Sequence, residues 1–436
     1  MSVDLTNRIT GSIIGLAIGD ALGSTVEGAK PGSIKSAYKR VVDYVDPEEW
    51  VGREKIYKWR KPGLYTDDTQ QALALLDSLL QDRGLNQDKA AARLADLARG
   101  AEFYFGVYRG AGKNFRHTIT DIRQGKAWAA SGRDSAGNGA AMRIAPVAIY
   151  YRSDLEAMAE KVAEASLITH RNPVGISAAF AVSYLIARCL EIEELESPDQ
   201  AVLIRDAADY CFTKEQMLAT NYKFELIPGY EKSLNLFSDA LKNLADHFSE
   251  SAKNVAERIV AFAAPHSETP VTRPTHGFAP ASVVFAIYIA ISKSGSFEDM
   301  VLTAVNEGGD ADTVAAIAGS ISGALLGADE IPERLLKGLA NRKQIKARAE
   351  ALAARKWMHG KLEDLYEMEY GLTRREHEER LARMKKLGVD FPEKKKFAKM
   401  ADPAPVSGKF DRKKQRRDAQ RLKQWEIFYP DSPEND

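Results

Sequence analysis

Apolar residues recur along most of this chain at the three- and four-residue spacing of amphipathic helices. Runs of alternating β-branched residues bounded by turn residues, which are typical of strands, are almost absent. The pattern therefore predicts an all-α fold, a compact multi-helix domain. Helical segments are expected at residues 7–26, 64–82, 88–105, 153–169 and 173–191, and at several places between 198 and 265.

Two of the predicted helices carry glycine at every fourth position. Gly costs roughly 1 kcal/mol relative to Ala in a helix interior, so another backbone is expected to approach these faces closely. We therefore predict that the two glycine faces pack near each other and join both ends of the domain. The glycines are Gly11, Gly15, Gly19 and Gly23 in the first helix, and Gly319, Gly323 and Gly327 in the second.

Two long segments lack this helical spacing. Residues 30–63 are polar and contain Pro31, Pro47 and Pro62, so they are predicted to be loop-like. Residues 106–137 are rich in Gly, Ser, Arg and Asn. We interpret the second segment as a functional loop that contains short helical pieces.

The chain changes in character near residue 340. Residues 341–436 hold 25 Lys and Arg against 17 Asp and Glu, a net charge of +8 that the preceding residues balance. This asymmetry predicts a main domain at residues 1–340 and a basic extension at 341–436, helical at first and then a Pro-containing tail. Contact of the basic tail with nucleic acid is a weaker alternative, because acidic residues are interleaved with the basic ones.

The remaining composition limits the class of protein. Cys189 and Cys211 are the only cysteines, too few for a disulfide framework, which favours the cytoplasm. The first residues lack the basic start and apolar core of a signal peptide. The longest apolar run falls short of the roughly 20 residues that span a bilayer, so no membrane association is expected.

Two short segments combine hydroxyl side chains with neighbouring carboxylates and then continue directly into an apolar helix. One alternative is that these residues only cap their helices, because Asp and Thr are favoured at N-caps and acids are stabilised near helix N-termini. The segments are Thr66-Asp67-Asp68-Thr69 and Asp310-Ala311-Asp312-Thr313.

Capping needs one such side chain, whereas each of these two acid clusters offers three or four. Adjacent carboxylates repel each other unless protons or a cation neutralise them. Mg²⁺ and Mn²⁺ prefer carboxylate, hydroxyl and water oxygens. We therefore predict that the two clusters face each other across one cleft and form a divalent-metal centre.

Five motifs follow one another along residues 11–330, about three quarters of the chain. They are Gly15-Leu-Ala-Ile-Gly19-Asp20-Ala-Leu-Gly23 with Glu27, Thr66-Asp67-Asp68-Thr69, Gly137-Asn138-Gly139-Ala-Ala-Met142-Arg143, Thr169-His170, and Gly308-Gly309-Asp310-Ala-Asp312-Thr313. In this order they resemble the ADP-ribosylglycohydrolase family, the relatives of the dinitrogenase-reductase-activating glycohydrolase. The segment after residue 340 is not part of that pattern.

The resemblance implies an all-α fold with a centre of two Mg²⁺ or Mn²⁺ ions. Glu27 matches a glutamate near the metals, used in some relatives as an acid or base or to position the substrate. With Asp68 and Asp310 it forms the implied catalytic set. The residues implied to bind metal are Thr66, Asp67, Asp68, Asp310, Asp312 and Thr313.

The resemblance also implies where ADP-ribose binds. Gly137, Asn138 and Gly139, with Ser135 before them, match a loop around the phosphates and ribose, and His170 matches a ligand-contacting position. The alternatives are a turn residue at Asn138, a structural hydrogen-bonding role for His170 and a plain surface acid at Glu27. The residues that could stack on adenine, or simply belong to the core, are Phe105, Tyr108 and Phe115.

These observations predict a divalent-metal-dependent hydrolase that cleaves the glycosidic bond at ribose C1″. The expected partner is a protein carrying ADP-ribose on arginine or another side chain, or a small ADP-ribose conjugate. One alternative is a hydrolase of a conjugate such as O-acetyl-ADP-ribose. Another is a non-catalytic ADP-ribose-binding protein of the same fold.

Overall fold

The computed structural model of this protein describes residues 4–390, except residues 101, 102, 104 and 194–196. The predicted all-α fold is confirmed, since β structure in the described part is limited to isolated bridges. The first nine helices are α1 (Leu5–Gly23), α2 (Pro31–Tyr38), α3 (Glu48–Val51), α4 (Asp67–Asp82), α5 (Gln87–Asp96), α6 (Lys113–Arg123), α7 (Ala145–Tyr151), α8 (Leu155–Leu167) and α9 (Pro173–Cys189). The next nine are α10 (Ser197–Asn221), α11 (Leu236–His247), α12 (Ala252–Ala263), α13 (Ala279–Ser292), α14 (Phe297–Asn306), α15 (Ala311–Leu326), α16 (Glu333–Gly338), α17 (Arg342–Ala353) and α18 (Leu365–Leu387).

Helices α1 and α15 pack along their glycine faces, as the spacing predicts. A Cβ atom added to Gly15 would lie 2.3 Å from the carbonyl oxygen of Gly319, and one added to Gly323 would lie 2.1 Å from that of Gly11. The buried hydroxyls of Ser12 and Ser320 hydrogen-bond across the same interface at 3.0 Å. The two backbones therefore touch, and no side chain larger than hydrogen fits between them at these positions.

The centre of the domain consists of helices that are apolar on nearly every side. Helices α9, α13 and α15 are buried along almost their whole length, which their small and aliphatic residues permit. Amphipathic helices such as α11 and α12 cover this centre with their apolar faces. The site described below lies where α1, α4 and α15 begin or end around this core.

The segments without helical spacing are more ordered than the sequence suggests. The predicted loop at 30–63 contains α2, α3 and a 3-10 turn at Arg53–Lys58. Pro31 is the first residue of α2, a position that suits its fixed φ and missing N–H. Residues 106–137 contain α6 and a 3-10 turn, in agreement with short helical pieces, whereas the helix expected over 88–105 ends at Asp96.

The charged helices predicted after residue 340 are present as α17 and α18, and both pack on the preceding residues. Arg348 of α17 forms a buried ion pair with Asp77 of α4, with 3.0 Å between Nε and Oδ1. Glu369 of α18 pairs with Arg109 Nη2 at 2.7 Å, also buried. The domain boundary at residue 340 stays a prediction, and residues 391–436, which include the Pro-containing tail, lie outside the described residues.

Among the described residues, every helix is too short or too polar to cross a membrane.

Candidate functional site

The first acid cluster, Thr66–Asp68, lies buried at the start of α4. Its N-cap residue, Thr66, makes no side-chain capping hydrogen bond. Asp20 of α1 takes that role: its carboxylate accepts the backbone N–H groups of Thr66 and Thr69 at 2.8 and 2.9 Å. It also accepts both of their hydroxyls, at 2.7 and 2.6 Å. Helix capping therefore does not account for the carboxylates of Asp67 and Asp68.

The second acid cluster, Asp310–Thr313, follows a tight backbone turn before α15. Gly308 and Gly309 have φ values of 62° and 68°, which favour glycine over other residues. The Gly309 N–H donates to the carbonyl of Ala29 at 2.9 Å, and Gly28 N–H donates to the carbonyl of Gly309 at 2.6 Å. These bonds attach the second cluster to the chain that follows α1.

The Asp310 side chain occupies the N-cap position of α15 but makes no capping bond to its backbone. Its backbone N–H donates to the carbonyl of Thr275 at 3.0 Å. Its Oδ2 accepts a hydrogen bond from Asn138 Nδ2 at 2.7 Å, and that amide also donates to Ser282 Oγ at 3.0 Å. The structure thus brings Asn138 and Asp310, two predicted site residues, into direct contact.

Helix α1 is the element that brings both clusters to one place. Asp20 holds the start of α4, as described above. One turn later, a Cβ atom on Gly23 would lie 2.4 Å from both the Ala311 carbonyl oxygen and the Asp312 backbone nitrogen. The start of α15 therefore rests directly on the end of α1, and the acid clusters of both helices meet beside it.

Burial and mutual repulsion raise the pKa values of these crowded carboxylates. Burial raises the pKa of Asp67 to about 7, and the charge of Asp20 adds to this effect. Burial, followed by repulsion from Asp20 and Asp67, raises the pKa of Asp68 well above its usual range. The pKa of Asp312 is raised in the same way, by burial and then by Glu27. Such a group of acids needs protons or a cation to be stable.

A divalent cation fits this set of donors. Asp68 Oδ1 is buried and has no hydrogen-bond partner, an uncommon state for a buried oxygen that requires an explanation. Carboxylate and hydroxyl oxygens are also the ligands that Mg²⁺ and Mn²⁺ prefer. Within the described residues, however, no three His, Cys, Asp or Glu side chains form a group arranged to hold a metal ion. The metal and its ligands stay predictions.

The predicted ligand loop, Ser135–Gly139, lies on the start of α9. A Cβ atom on Gly175 would lie 2.8 Å from the carbonyl oxygen of Ser135 and 3.0 Å from that of Gly137. The Asn138 N–H donates to the carbonyl of Gly277 at 3.3 Å. The loop is therefore fixed from two sides, and its middle residue reaches the second acid cluster.

His170 lies behind this loop, with its ring beside two glycine backbones. Cβ atoms on Gly139 and Gly175 would lie 3.2 and 2.9 Å from ring carbons of His170. Burial and the nearby charge of Arg143 lower the pKa of His170 to about 3, so the imidazole is neutral at physiological pH. The structure places His170 against the ligand loop; a direct contact with ligand stays a prediction.

A buried chain of hydrogen bonds joins His170 to the first acid cluster. Gln71 Nε2 donates to Asp67 Oδ2 at 2.7 Å, and Arg143 donates to Gln71 Oε1 at 2.6 Å. Arg143 also donates to the Thr169 hydroxyl at 2.6 Å, and that oxygen lies 2.7 Å from His170 Nδ1. Arg143 can only donate, so the Thr169 oxygen accepts from it, and the Thr169 hydroxyl links Arg143 to His170 Nδ1.

Glu27 lies at the cleft, between two neighbouring cavities. Its side chain is 44% exposed, and its Oε2 is 4.0 Å from Arg60 Nη2. Desolvation by the surrounding protein raises the pKa of Glu27, Arg60 opposes the rise, and Asp310 adds to it. One cavity, of about 370 Å³, is bordered by Thr272–Gly277 and Asp310. The other, of about 380 Å³, extends toward α18.

The three aromatic residues considered for adenine pack mainly on one another. The Tyr108 and Phe115 ring centroids are 5.0 Å apart and nearly perpendicular, and Phe105 and Tyr108 are stacked at 6.0 Å. All three are buried in the core, although Phe105 and Tyr108 also border the larger cavity. Adenine stacking on any of them stays a prediction.

The structure adds residues that the sequence patterns did not place at the site. Asp20 orders the first cluster, and Thr275 and Gly277 hold the second cluster and the ligand loop. A Cβ on Gly277 would lie 3.4 Å from Asp310 Oδ2. The segment before α13 contains glycine and proline, which are typical of a turn, but they give no indication of what the turn contacts.

Comparison with known proteins identifies the family to which the chain belongs. Residues 1–362 match the model of the ADP-ribosylglycohydrolase family. The chain belongs to this family. This glycohydrolase is 25% identical to human ADP-ribosylhydrolase ARH3 over 345 residues. The match covers 75% of the chain and 87% of that protein.

Other relatives agree with the assignment. The glycohydrolase is 24% identical over 357 residues to the ADP-ribosyl-dinitrogen reductase glycohydrolase of Rhodospirillum rubrum, covering 80% of the chain and 96% of the relative. A solved structure described as an ADP-ribosylglycohydrolase-related protein complex matches with a TM-score of 0.53 and 26% identity. That match covers 81% of this chain and 99% of the other.

The family membership confirms the predicted class of enzyme, a hydrolase of ADP-ribose conjugates.

Proposed function

We propose that this glycohydrolase releases ADP-ribose from a modified acceptor at the cleft between the two acid clusters, with two Mg²⁺ or Mn²⁺ ions. The observation that carries the proposal is the meeting of three segments. Asp20 and Gly23 of α1 place the starts of α4 and α15 together, and Asn138 links the predicted ligand loop to Asp310.

The reaction is a hydrolysis at ribose C1″. The bond from C1″ to the acceptor breaks, a water oxygen bonds to C1″, and the acceptor leaves with a proton. The transition state has oxocarbenium character, so positive charge develops on the ribose. Negatively charged oxygens near C1″ stabilise that charge.

The candidate metal ligands are the two acid clusters. Thr66, Asp67 and Asp68 would bind from one side, and a bound divalent ion would polarise the ribose hydroxyls and acidify water. The unpartnered Asp68 Oδ1 supports this assignment. The ligands on the opposite side would be Asp310, Asp312 and Thr313.

Glu27 is the candidate acid or base. Its pKa is raised by desolvation, so its carboxyl can carry a proton closer to neutral pH than a glutamate in free solution. From the cleft, it can donate that proton to the leaving acceptor or take one from the attacking water. The backbone N–H groups of Gly137 and Gly139 would bind the phosphates, since that of Asn138 donates to Gly277.

The single most direct test of the site is Asp310→Ala. We expect release of free ADP-ribose to fall by roughly 10²- to 10³-fold, since charge stabilisation by one residue is typically of this size. The fold is expected to survive, as seen by circular dichroism. Asp329→Ala, at an exposed position just beyond the end of α15, is the matched control and is expected to retain activity.

Metal binding has its own test, which does not rely on turnover. Mg²⁺ or Mn²⁺ is expected to raise the melting temperature of the wild-type protein, because a ligand that binds only the folded state stabilises it. The same ions are expected to have little effect on Asp310→Ala. Full activity of Asp310→Ala would exclude the proposed ligand set.

The acceptor is tested by release of ADP-ribose from arginine- and serine-linked conjugates and from O-acetyl-ADP-ribose, with Mg²⁺ and then with excess EDTA. EDTA-sensitive release from one of them supports the proposal and identifies the acceptor. Binding of ADP-ribose without release from any conjugate would favour the non-catalytic alternative.

A further inference from the structure

Helix α18 contributes a buried carboxylate to the domain, although it begins just beyond residues 1–362, which match the family. The Glu369 side chain is fully buried. The Tyr65 hydroxyl donates to its Oε1 at 2.6 Å, Gln70 Nε2 donates to its Oε2 at 2.8 Å, and Arg109 Nη2 pairs with Oε2 at 2.7 Å. A buried charge is costly unless it is paired, so these three partners are what permits Glu369 to lie here.

The partners of Glu369 also contact the first acid cluster. Tyr65 directly precedes the cluster, and Gln70 lies in the same first turn of α4. The Arg109 carbonyl accepts the backbone N–H of Asp67 at 2.8 Å, and the Arg109 N–H donates to Gln70 Oε1 at 2.9 Å. Arg109 Nε donates to the Tyr65 carbonyl at 2.8 Å. Arg109 therefore joins Glu369 to the residues on both sides of the cluster.

The bond from Asp67 to Arg109 has a particular role because Asp67 is the first residue of α4. The first N–H groups of a helix have no partner within the helix and must be satisfied from outside it. For Asp67 that partner is the Arg109 carbonyl. The position of Arg109 therefore fixes the backbone from which the Asp67 carboxylate, a candidate metal ligand, extends.

A second side chain of α18 supports the same arginine. Thr373, one turn after Glu369, accepts a hydrogen bond from Arg109 Nη1 at 2.8 Å and donates to the Val107 carbonyl at 2.7 Å. Gln70 Nε2 donates to that carbonyl as well, at 2.9 Å. All of these residues are buried. The short segment that carries Arg109 is therefore held between α4 and α18.

Another buried ion pair contacts α4, but far from the acid cluster. Arg348 of α17 pairs with Asp77, and both side chains are as deeply buried as those of Glu369 and Arg109. Asp77 lies almost three turns of α4 beyond Asp67, about 15 Å along the helix axis. The two pairs have the same chemistry and burial but differ in their distance from the cluster. A comparison between them therefore separates support of the site from support of the fold.

We propose that Glu369 is a positioning residue of the active site: through Arg109, it holds the backbone of Asp67 and with it the first half of the candidate metal centre. The inference rests on the proposed function, because it explains how one set of candidate ligands is kept in place. Helix α18 is then part of the active site, although the family match ends before it.

The test uses the full-length protein and Glu369→Gln, which keeps the shape of the side chain and removes its charge. The buried Arg109 guanidinium then loses its direct counter-ion, so the segment that holds Asp67 is expected to shift. We expect Mn²⁺ binding to weaken and kcat to fall, each by roughly 10- to 100-fold, as is typical when a partner of a metal ligand is removed. Mn²⁺ binding is measured by electron paramagnetic resonance of the free ion. Turnover is measured as release of ADP-ribose from the conjugate that the wild type cleaves fastest.

Asp77→Asn is the matched control, because it removes the charge from the other buried pair on α4. Both variants are expected to lose thermal stability, since each leaves a buried guanidinium without its counter-ion. Asp77→Asn is nevertheless expected to keep the wild-type affinity for Mn²⁺ and the wild-type kcat, measured well below its melting temperature.

Thr373→Val is a milder variant that tests the same connection, including the case in which Glu369→Gln does not fold. It keeps the shape of the side chain but removes the acceptor of Arg109 Nη1 and the donor to Val107. We expect a loss of Mn²⁺ affinity of roughly three- to tenfold, about the contribution of one hydrogen bond.

Mn²⁺ affinity equal to that of the wild type in Glu369→Gln and Thr373→Val would overturn the inference, while the proposed function stands. An equal loss of Mn²⁺ affinity in Glu369→Gln and Asp77→Asn would overturn it too, because the effect would then follow stability. A wild type that neither binds Mn²⁺ nor releases ADP-ribose from any conjugate would instead overturn the proposed function.

Discussion

The two acid clusters have similar sequences but are held in different ways. The first is ordered by a side chain, because the Asp20 carboxylate accepts four hydrogen bonds from the start of α4. The second is ordered by direct backbone contact: Gly19 and Gly23 have no side chains, so α15 rests directly on α1. Helix α1 thus positions the first cluster through a side chain and the second through close backbone contact. A different kind of mutation is expected to disrupt each cluster.

The largest effect is expected from adding one methyl group to the glycine interface. In Gly19→Ala the new Cβ would lie 2.0 Å from the Ala315 carbonyl oxygen, a backbone atom that cannot move aside without moving α15. We expect a loss of at least about 3 kcal/mol in the free energy of unfolding, measured by chemical denaturation. Gly371→Ala in α18 is the matched control, since a Cβ there meets no other atom within 4 Å.

Gly371→Ala is expected to be neutral or slightly stabilising, because Ala is the better helix former. Equal stability of the two variants would show that backbone contact does not order the second cluster.

A smaller effect is expected from changing the side chain that orders the first cluster. In Asp20→Asn one carboxylate oxygen becomes an NH₂ group, which faces donors from Thr66 or Thr69 and cannot accept from them. We expect a loss of about 2 to 3 kcal/mol for the unsatisfied donors, together with reduced turnover.

The control is Asp154→Asn, where a partly exposed carboxylate accepts the N–H groups of Glu156 and Ala157 at the start of α8. Asn is about as good an N-cap as Asp, so little change is expected. Wild-type stability and turnover in Asp20→Asn would mean that the first cluster is ordered by other contacts.

The smallest effect concerns His170, which joins the two halves through the Arg143 chain and the ligand loop. Its folded pKa of about 3 is below the unfolded value of about 6.5. As the pH falls, His170 is therefore protonated in the unfolded chain before it is protonated in the folded one. The stability that neutral His170 contributes is complete above pH 6.5 and is lost as the pH falls toward 3. We expect a loss of about 2 kcal/mol by pH 5, measured as the unfolding free energy against pH.

His170→Gln cannot titrate in this range and is expected to show a flatter dependence between pH 7 and 5. His359→Gln, at an exposed position, is expected to keep the wild-type slope. An identical slope in His170→Gln and wild type would contradict a neutral buried imidazole.

Sequence reasoning predicted those parts of the molecule that follow from local spacing. Glycine at every fourth position predicted the contact of α1 with α15, and an apolar run after each acid cluster predicted a helix that begins at it. Both patterns have a physical cause within one helix turn, so they can be recognised without a structure.

The parts that were missed depend on long-range contacts. Asp20 lies among the glycines of the first helix, and nothing near it in the sequence identifies the N–H groups that its carboxylate accepts at the start of α4. Glu376 and Arg380 resemble an exposed pair at i and i+4, yet both are buried against residues 59–61. The sequence after residue 340 predicted a helix, but it gave no indication that α18 borders the cleft.

The contact between α1 and α15 also has a consequence for synthesis of the chain. Ser12 and Ser320 meet although they are 308 residues apart in the sequence. Helix α1 therefore leaves the ribosome long before its partner α15 has been synthesised, and contacts of such long range slow folding. Until then its apolar glycine face is exposed to the solvent, where a chaperone or a second nascent chain can reach it. Any truncation before residue 311 leaves that face without its partner helix.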